Sequence, residues 1–317
     1  MSLKFVIGPC GSGKTTAVFQ DIIDASLSER AACLVIVPEQ FTLQTQADIA
    51  RLHPRHGSMD IDVLSFERLA WLVFEEIGVP GPVLIDDLGK LLLLRHVTDD
   101  VSDDLHTLQA ALKKPGSLEK LKSLLSELGE YRVDAERLYE LSGSFSKRPL
   151  LSEKLSDLAK ISGAFHHALA ENTIPKEDML HFFSRYIAQS EILKGSRIVF
   201  DGFTGFTPNQ CEVIGGLLRT ASCVTVTLPL GSGLRIEQVS GSGHIFSRSR
   251  YTYDQLLRLA GEAGVPVHAP IYTGAEGLPR FLAAPALSRL EGRFGRYRTD
   301  GNSPLSSNGS VILTEAA

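Results

Sequence analysis

The sequence predicts an α/β fold, a parallel sheet built around a P-loop and interrupted by an all-helical insertion, on three observations. The chain opens with the apolar run Phe5-Val6-Ile7, the glycine-rich turn Gly8-Pro9-Cys10-Gly11-Ser12-Gly13-Lys14-Thr15, and a helix-like stretch from Thr16. Short apolar runs alternate with helical periodicity up to about residue 82 and again from about residue 195. Between them leucines recur at helical spacing and strand-like runs disappear. The chain therefore divides into an α/β domain, 1–82 plus 195–317, and an inserted helical domain, 83–194.

Taken in order, Phe5-Val6-Ile7 reads as a strand buried on both faces, followed by a helix to about Ala25. Cys33 to Val37 is a second strand with a helix from Phe41 to Leu52, and Ile61 to Leu64 a third with a helix from Phe66 to Ile77. Strand and helix in alternation mean a parallel sheet covered on both faces, and Pro38, Pro80 and Pro82 punctuate it. Within the insertion, Leu118, Leu121, Leu124, Leu125 and Leu128 form a stripe with Ser117 at the N-cap, and further stripes run over Leu91 to Leu94, Leu151 to Leu169 and Met179 to Ile187. These are core positions. The α/β pattern resumes with Arg197 to Asp201, a strand ending in an acid, then a helix Pro208 to Leu218 and a strand Cys223 to Leu228. Gly231 to Gly243 is rich in glycine and serine and reads as a mobile loop. A helix Tyr253 to Ala263, a short strand Val265 to Val267 and a helix about Leu278 to Leu287 follow. After a polar tail, Val311-Ile312-Leu313-Thr314 reads as a strand starting at the edge of a longer protein.

The opening turn has the chemistry of a nucleotide site. Glycines let successive N–H groups turn inward into an anion-binding concavity, and the following helix adds the positive end of its dipole. The expected nucleotide-binding set is Gly8, Gly11, Ser12, Gly13, Lys14, Thr15 and Thr16. Lys14 would reach the β- and γ-phosphates of ATP, and the Thr15 hydroxyl would hold the accompanying Mg2+. The plainer alternative is a turn joining strand to helix with no ligand. Asp201, at the end of its strand, is the candidate second carboxylate for the metal, against a strand-ending aspartate that caps the Asp201-Gly202 turn. A glutamate positioned for water would follow it in a hydrolysing helicase, and Gly202 stands there instead. The expectation is nucleotide binding with weak or absent hydrolysis, unless Glu39 or Glu212 supplies the base. No residue is assigned a catalytic role.

The totals exclude several classes. Thirty-seven acidic against 32 basic side chains, net −5, argue against a broad basic nucleic-acid grip by this chain alone, while 43% hydrophobic content supports a sizeable core. No apolar run approaches the roughly twenty residues of a membrane span. With no leader-like start, the expectation is a cytoplasmic protein with no membrane partner. Cys10, Cys33, Cys211 and Cys223 lack metal-site spacing and read as free thiols, and the adjacent His166 and His167 make a poor metal pair.

A helical domain inserted between two nucleotide-binding strands is the arrangement of superfamily 1 helicases. Gly8 to Thr16, Val37-Pro38-Glu39-Gln40-Phe41-Thr42, Leu64-Ser65-Phe66-Glu67-Arg68-Leu69-Ala70, Asp201-Gly202-Phe203-Thr204-Gly205-Phe206-Thr207-Pro208 and Tyr251-Thr252-Tyr253-Asp254-Gln255-Leu256 follow the order and wording of one such family. The sequence resembles the B subunit of AddAB (RexAB-type) ATP-dependent helicase/deoxyribonucleases over essentially its whole length. That resemblance implies domain 1A-like and 1B-like folds and a role in double-strand-break repair by recombination. It implies pairing with an AddA-type motor and nuclease subunit, and single-stranded DNA bound in the full complex. In the family the B subunit's helicase-like part has lost motor function, and an iron–sulfur cluster and nuclease lie in a C-terminal part absent from this chain. The Val37 to Thr42 stretch matches a DNA-contacting loop, with Gln40 and Thr42 as contacts; equally, Pro38-Glu39 simply starts a helix. Arg248 and Arg250 could touch phosphate or stand in a solvated loop. Two other readings compete with this one, a P-loop phosphotransferase and a docking domain whose P-loop is vestigial.

Overall fold

A computed structural model of the 317-residue chain describes residues 1–28, 31–57, 60–145, 147–169, 173–274 and 277–294. The expected strand at Val311 to Thr314 and the polar tail before it lie outside these residues. Two compact units emerge among the described residues: Met1–Glu76 with Ile187–Phe206 and the described chain from Ile214 onward, and Ile77–Tyr186 with Thr207–Val213.

Along the chain come β1 (Leu3–Gly8), α1 (Lys14–Ser28), β2 (Cys33–Ile36), α2 (Thr42–Leu52), β3 (Ile61–Leu64), α3 (Phe66–Ile77), β4 (Val83–Ile85), α4 (Asp87–Asp100), α5 (Gln109–Leu112) and α6 (Ser117–Glu130). Then follow α7 (Ala135–Ser144), α8 (Pro149–Ala168), β5 (Thr173–Pro175), α9 (Met179–Ser184), β6 (Arg197–Phe200), α10 (Pro208–Leu218), β7 (Cys223–Pro229), α11 (Ser247–Ala263), β8 (Ile271–Tyr272) and α12 (Pro285–Arg293).

The first unit is an α/β body around a six-stranded sheet of order β3-β2-β6-β7-β1-β8, every described ladder parallel. Its strands are near-continuous apolar runs because both faces are covered: Leu34, Val35 and Ile36 have no exposed surface. Val18, Phe19, Ile22 and Ile23 of α1 share one buried cluster with Val6, Val35, Val63 and Val199. At about 1.5–3 kcal/mol per buried large apolar side chain, this cluster anchors α1 firmly behind the turn that precedes it. The strands that end in Gly8 and lead to Asp201 are not neighbours; β7 pairs with both β1 and β6, so its carboxyl end lies between theirs.

Four local expectations change. Gly231 to Gly243 holds local structure: it contains a 3-10 turn at Ile236–Gln238, with Ile236 and Val239 buried, and buried Leu230 just before it hydrogen-bonds to the Gly8 carbonyl. Helix α11 starts at Ser247, six residues before the expected Tyr253, because Ser249 and Thr252 are buried on its inner face despite their polarity. Val265 to Val267 makes a single bridge, Leu3 to Val267, and the ladder beside β1 forms at Ile271–Tyr272. The last expected helix is split into a 3-10 turn at Pro279–Phe281 and α12.

The second unit buries Leu94, Leu121, Leu125, Leu138, Leu158, Ile161 and Phe165 in one core, and Leu118, Leu124 and Leu128 pack partly buried against it. It is not entirely helical: β4 and β5 form a parallel two-stranded ladder, Val83 opposite Thr173. Three-residue strands are too short to show alternation. Ser117 is the first residue of α6 rather than its cap; Gly116, at φ 73°, takes the cap position, and the Ser117 hydroxyl donates to the Lys114 carbonyl at 2.6 Å. Two buried charges are satisfied here. Lys90 pairs with Glu177, donates to the Ser126 hydroxyl at 2.7 Å and lies 5.7 Å from the Phe165 ring centre. Asp157, with no exposed surface, accepts the N–H groups of His106, Thr107 and Leu108. His166 bonds the Ser162 carbonyl at 2.8 Å and faces Asp178, whose hydrogen bond raises its pKa above 6.5 against the effect of burial.

Candidate nucleotide site at the carboxyl edge of the sheet

Gly8 ends β1, Asp201 directly follows β6, Thr227 lies near the end of β7 and Thr273 directly follows β8. All four therefore meet at the carboxyl edge of one parallel sheet, the place where such folds bind ligands. Gly11 (φ 75°) and Gly13 (φ 84°) take left-handed backbone. Gly8 does not. Its requirement is space, since a Cβ there would stand 2.3 Å from Thr273 Oγ1 and 2.8 Å from the Thr273 carbonyl oxygen. A Gly8→Ala substitution is accordingly expected to cost about 1–3 kcal/mol, read as a lower urea midpoint, by forcing the backbone after β8 away from the turn.

The N–H groups of Lys14, Thr15 and Thr16 begin α1, so they have no carbonyl four residues back inside the helix, and they find no acceptor among the described residues. Lys14 Nζ donates to the carbonyls of Gly8 at 2.9 Å and Pro9 at 2.8 Å. Burial lowers the pKa of this ammonium from 10.5, opposed by the fields of Cys10, Asp201 and Glu291. A partly desolvated cation beside free donors is suited to a polyanion. The Thr15 hydroxyl donates to Asp201 Oδ2 at 3.0 Å, and the Thr227 hydroxyl to Oδ1 at 2.6 Å. Buried Ser12 exchanges a 2.7 Å hydrogen bond with Thr273. Nucleotide phosphates and a divalent cation fit this donor set: amides and an ammonium for the phosphates, a hydroxyl and a carboxylate for the cation.

The other expected residues fall elsewhere. Pro38 precedes a 3-10 turn, Glu39–Phe41, in which Glu39 and Gln40 are exposed, while Thr42 is buried with its hydroxyl on the Glu39 carbonyl at 2.9 Å. Glu212, in the second unit, is engaged by Arg132 at 2.9 Å, His181 at 2.8 Å and Ser184 at 3.1 Å. Arg248 and Arg250 stand on α11, not in a loop, and Arg250 is tied to Asp254 at 2.8 Å. Cys33, Cys211 and Cys223 are buried and Cys10 is exposed. Among the described residues no group of three or more His, Cys, Asp or Glu converges as a metal site. No described helix is long and apolar enough to cross a membrane. Thr227, Thr273 and Glu291 are the neighbours that sequence reasoning missed. Thr227 had a signal, a hydroxyl near the end of a buried strand.

The sequence profile of the family described as "ADDB, N-terminal" matches residues 5–291. The chain belongs to this family. Its similarity to individual AddB-type proteins is consistent along its length. It is 36% identical over 301 residues to a protein of Lachnoclostridium phytofermentans, covering 94% of this chain and 26% of that protein. Identity is 35% over 304 residues to one of Moorella thermoacetica, with the same coverage, and 32% over 326 residues to one of Bacillus mycoides, covering 100% and 27%. All three are named as the B subunit of an ATP-dependent helicase/deoxyribonuclease. This AddB-family chain thus spans about a quarter of the length of the relatives it matches.

Proposed function

We propose that the chain is the nucleotide-binding, helicase-like N-terminal region of the B subunit of an ATP-dependent helicase/deoxyribonuclease. It would work in recombinational double-strand-break repair in the cytoplasm, beside an AddA-type motor and nuclease subunit, and without motor activity of its own. The observation that carries this is the Thr15–Asp201 pair, 3.0 Å apart, beside the open amides of α1 and the Lys14 ammonium. Magnesium bound with the nucleotide would offset the charge of its phosphates. Thr15 and Asp201 would hold that ion, with Thr227 fixing the carboxylate, while Lys14 and the amides of Gly11 to Thr16 would take the phosphates.

Weak hydrolysis follows from the backbone as well as from the side chain. Gly202 has φ 81°. A glutamate at this position would need a left-handed backbone, at about 1–2 kcal/mol, which agrees with glycine standing there. Of the two carboxylates that would replace it, Glu212 is already hydrogen-bonded three ways, which leaves exposed Glu39, on the 3-10 turn after β2, as the open candidate of the pair. For DNA, Gln40 is the exposed uncharged polar side chain of its turn and would meet the phosphate backbone, with Thr42 holding the turn in shape.

The test is thermal unfolding with and without Mg-ATP, together with phosphate release in the presence of single-stranded DNA. Saturation to about a hundred times Kd should stabilise the protein by about 2.7 kcal/mol, with phosphate release at background. An unmoved transition would favour the docking domain with a vestigial loop, and brisk phosphate release would overturn the motor-inactive assignment.

A further inference from the structure

The P-loop carries a contact that nucleotide binding does not require. The N–H of Cys10 donates to Glu291 Oε1 of α12 at 3.0 Å. That helix is delivered by the 3-10 turn Pro279–Phe281, whose Arg280 N–H meets the Gly11 carbonyl at 3.4 Å. Arg280 Cβ and the Phe281 ring close over Gly11 so tightly that a Cβ there would lie 2.9 and 3.1 Å from them. A carboxylate on a P-loop amide is the chemical counterpart of a phosphate oxygen at the same place.

The position along the turn decides which phosphate it mimics. The Glu291 carboxylate lies close enough to Lys14 to act on its charge, and Lys14 Nζ itself rests on the Pro9 carbonyl at 2.8 Å, the opposite end of the peptide unit whose N–H Glu291 holds. Lys14 is the group that reaches the β- and γ-phosphates, so a carboxylate in its field stands at that end of the site. An amide hydrogen serves one good acceptor, so a ligand oxygen that takes Cys10 must first displace Glu291. The displaced group has room: a cavity of about 230 Å³ adjoins it, lined by Ser232, Leu234, His244, Phe246 and Phe294.

We infer that Glu291 occupies the terminal-phosphate end of the P-loop, so that a nucleoside diphosphate binds with α12 in place and a triphosphate binds only by releasing it. The inference rests on the nucleotide reading above and makes Glu291 a specificity-determining residue of that site. Negative charge on both the carboxylate and the third phosphate adds repulsion to the competition for one amide.

The experiment uses the intact chain, with titration of Mg-ADP and of Mg-adenylyl imidodiphosphate into wild type, Glu291→Gln and Glu291→Ala. Hydrogen exchange over Pro285–Arg293 is measured in parallel. Expected results are tighter binding of the triphosphate analogue by about tenfold in Glu291→Ala, with ADP changed by less than about twofold. Glu291→Gln should lie between, and the analogue, unlike ADP, should raise exchange in α12 of the wild type. Wild-type binding of both nucleotides that neither variant changes, or that both variants change equally for the two, would overturn the inference and leave nucleotide binding standing. Absence of binding in all three proteins would remove the nucleotide reading and the inference together.

Discussion

Replacing Asp157 by alanine is expected to lower stability by about 3 kcal/mol and to expose the amides of the segment before α5 to exchange. Asp157 sits mid-way along α8 with no exposed surface, yet its carboxylate is satisfied by a neighbouring loop. It accepts from the N–H groups of Thr107 at 2.7 Å, Leu108 at 2.9 Å and His106 at 3.1 Å, and from the Thr107 hydroxyl at 2.9 Å. Alanine would leave those donors without an acceptor, whereas asparagine keeps one oxygen and should cost roughly half as much. Burial pushes the pKa of this carboxyl up, and the Leu108, His106 and Thr107 hydrogen bonds pull it down by more, so it ends below 3.8. A carboxyl depressed by folding stabilises the protein in full above the unfolded value and loses that contribution as pH falls through the folded value. The stability gap between wild type and Asp157→Asn should therefore be constant near neutrality and shrink as pH drops below 3.8. Urea midpoints followed by circular dichroism, with exchange over residues 105–112, would check both parts. A gap that stayed constant down to acid pH would mean that packing, not the charge, explains the loss.

What could be read in the sequence was whatever depended on nearby residues. The P-loop is a local pattern, and the helix Pro208 to Leu218 is legible to the residue because proline suits the first helical position and an apolar stripe follows it. Asp201 could be found because a buried strand delivers it directly. By contrast, Thr273 and Glu291 approach the turn from 261 and 281 residues away, and no periodicity marks either of them. Their positions follow from β8 closing the sheet beside β1, and β8 itself escapes notice because only two of its residues pair. The helical domain illustrates the same limit. Its leucine stripes are plain, but β4 and β5 pair residues 90 apart in sequence through three-residue strands, Val83 with Thr173. At Gly8 the residue is legible and its reason is not: the glycine-rich pattern suggests conformational freedom, and close approach by Thr273 is what excludes a side chain.

Asp201→Asn and Lys14→Ala should weaken nucleotide binding in ways that magnesium separates. Asparagine at 201 still offers one oxygen to the Thr227 hydroxyl, now at 2.6 Å, and the Thr15 hydroxyl can turn to accept from the amide, so the fold should be little changed. What disappears is the negative charge on the cation's side of the site. Binding of Mg-ATP should fall by about ten- to a hundredfold, while binding in EDTA stays within about twofold of wild type. Lys14→Ala acts on the phosphates directly, removing the cation that now rests on the Gly8 and Pro9 carbonyls, and should weaken binding with or without magnesium. Because both side chains would face the one proposed ligand, the double variant in magnesium should bind less weakly than the product of the two losses requires. Titration of all four proteins in both buffers completes the cycle. An Asp201→Asn protein that bound Mg-ATP like wild type would reduce Asp201 to the residue that follows β6 and accepts from Thr227 of β7, leaving the cation to Thr15 and the nucleotide alone.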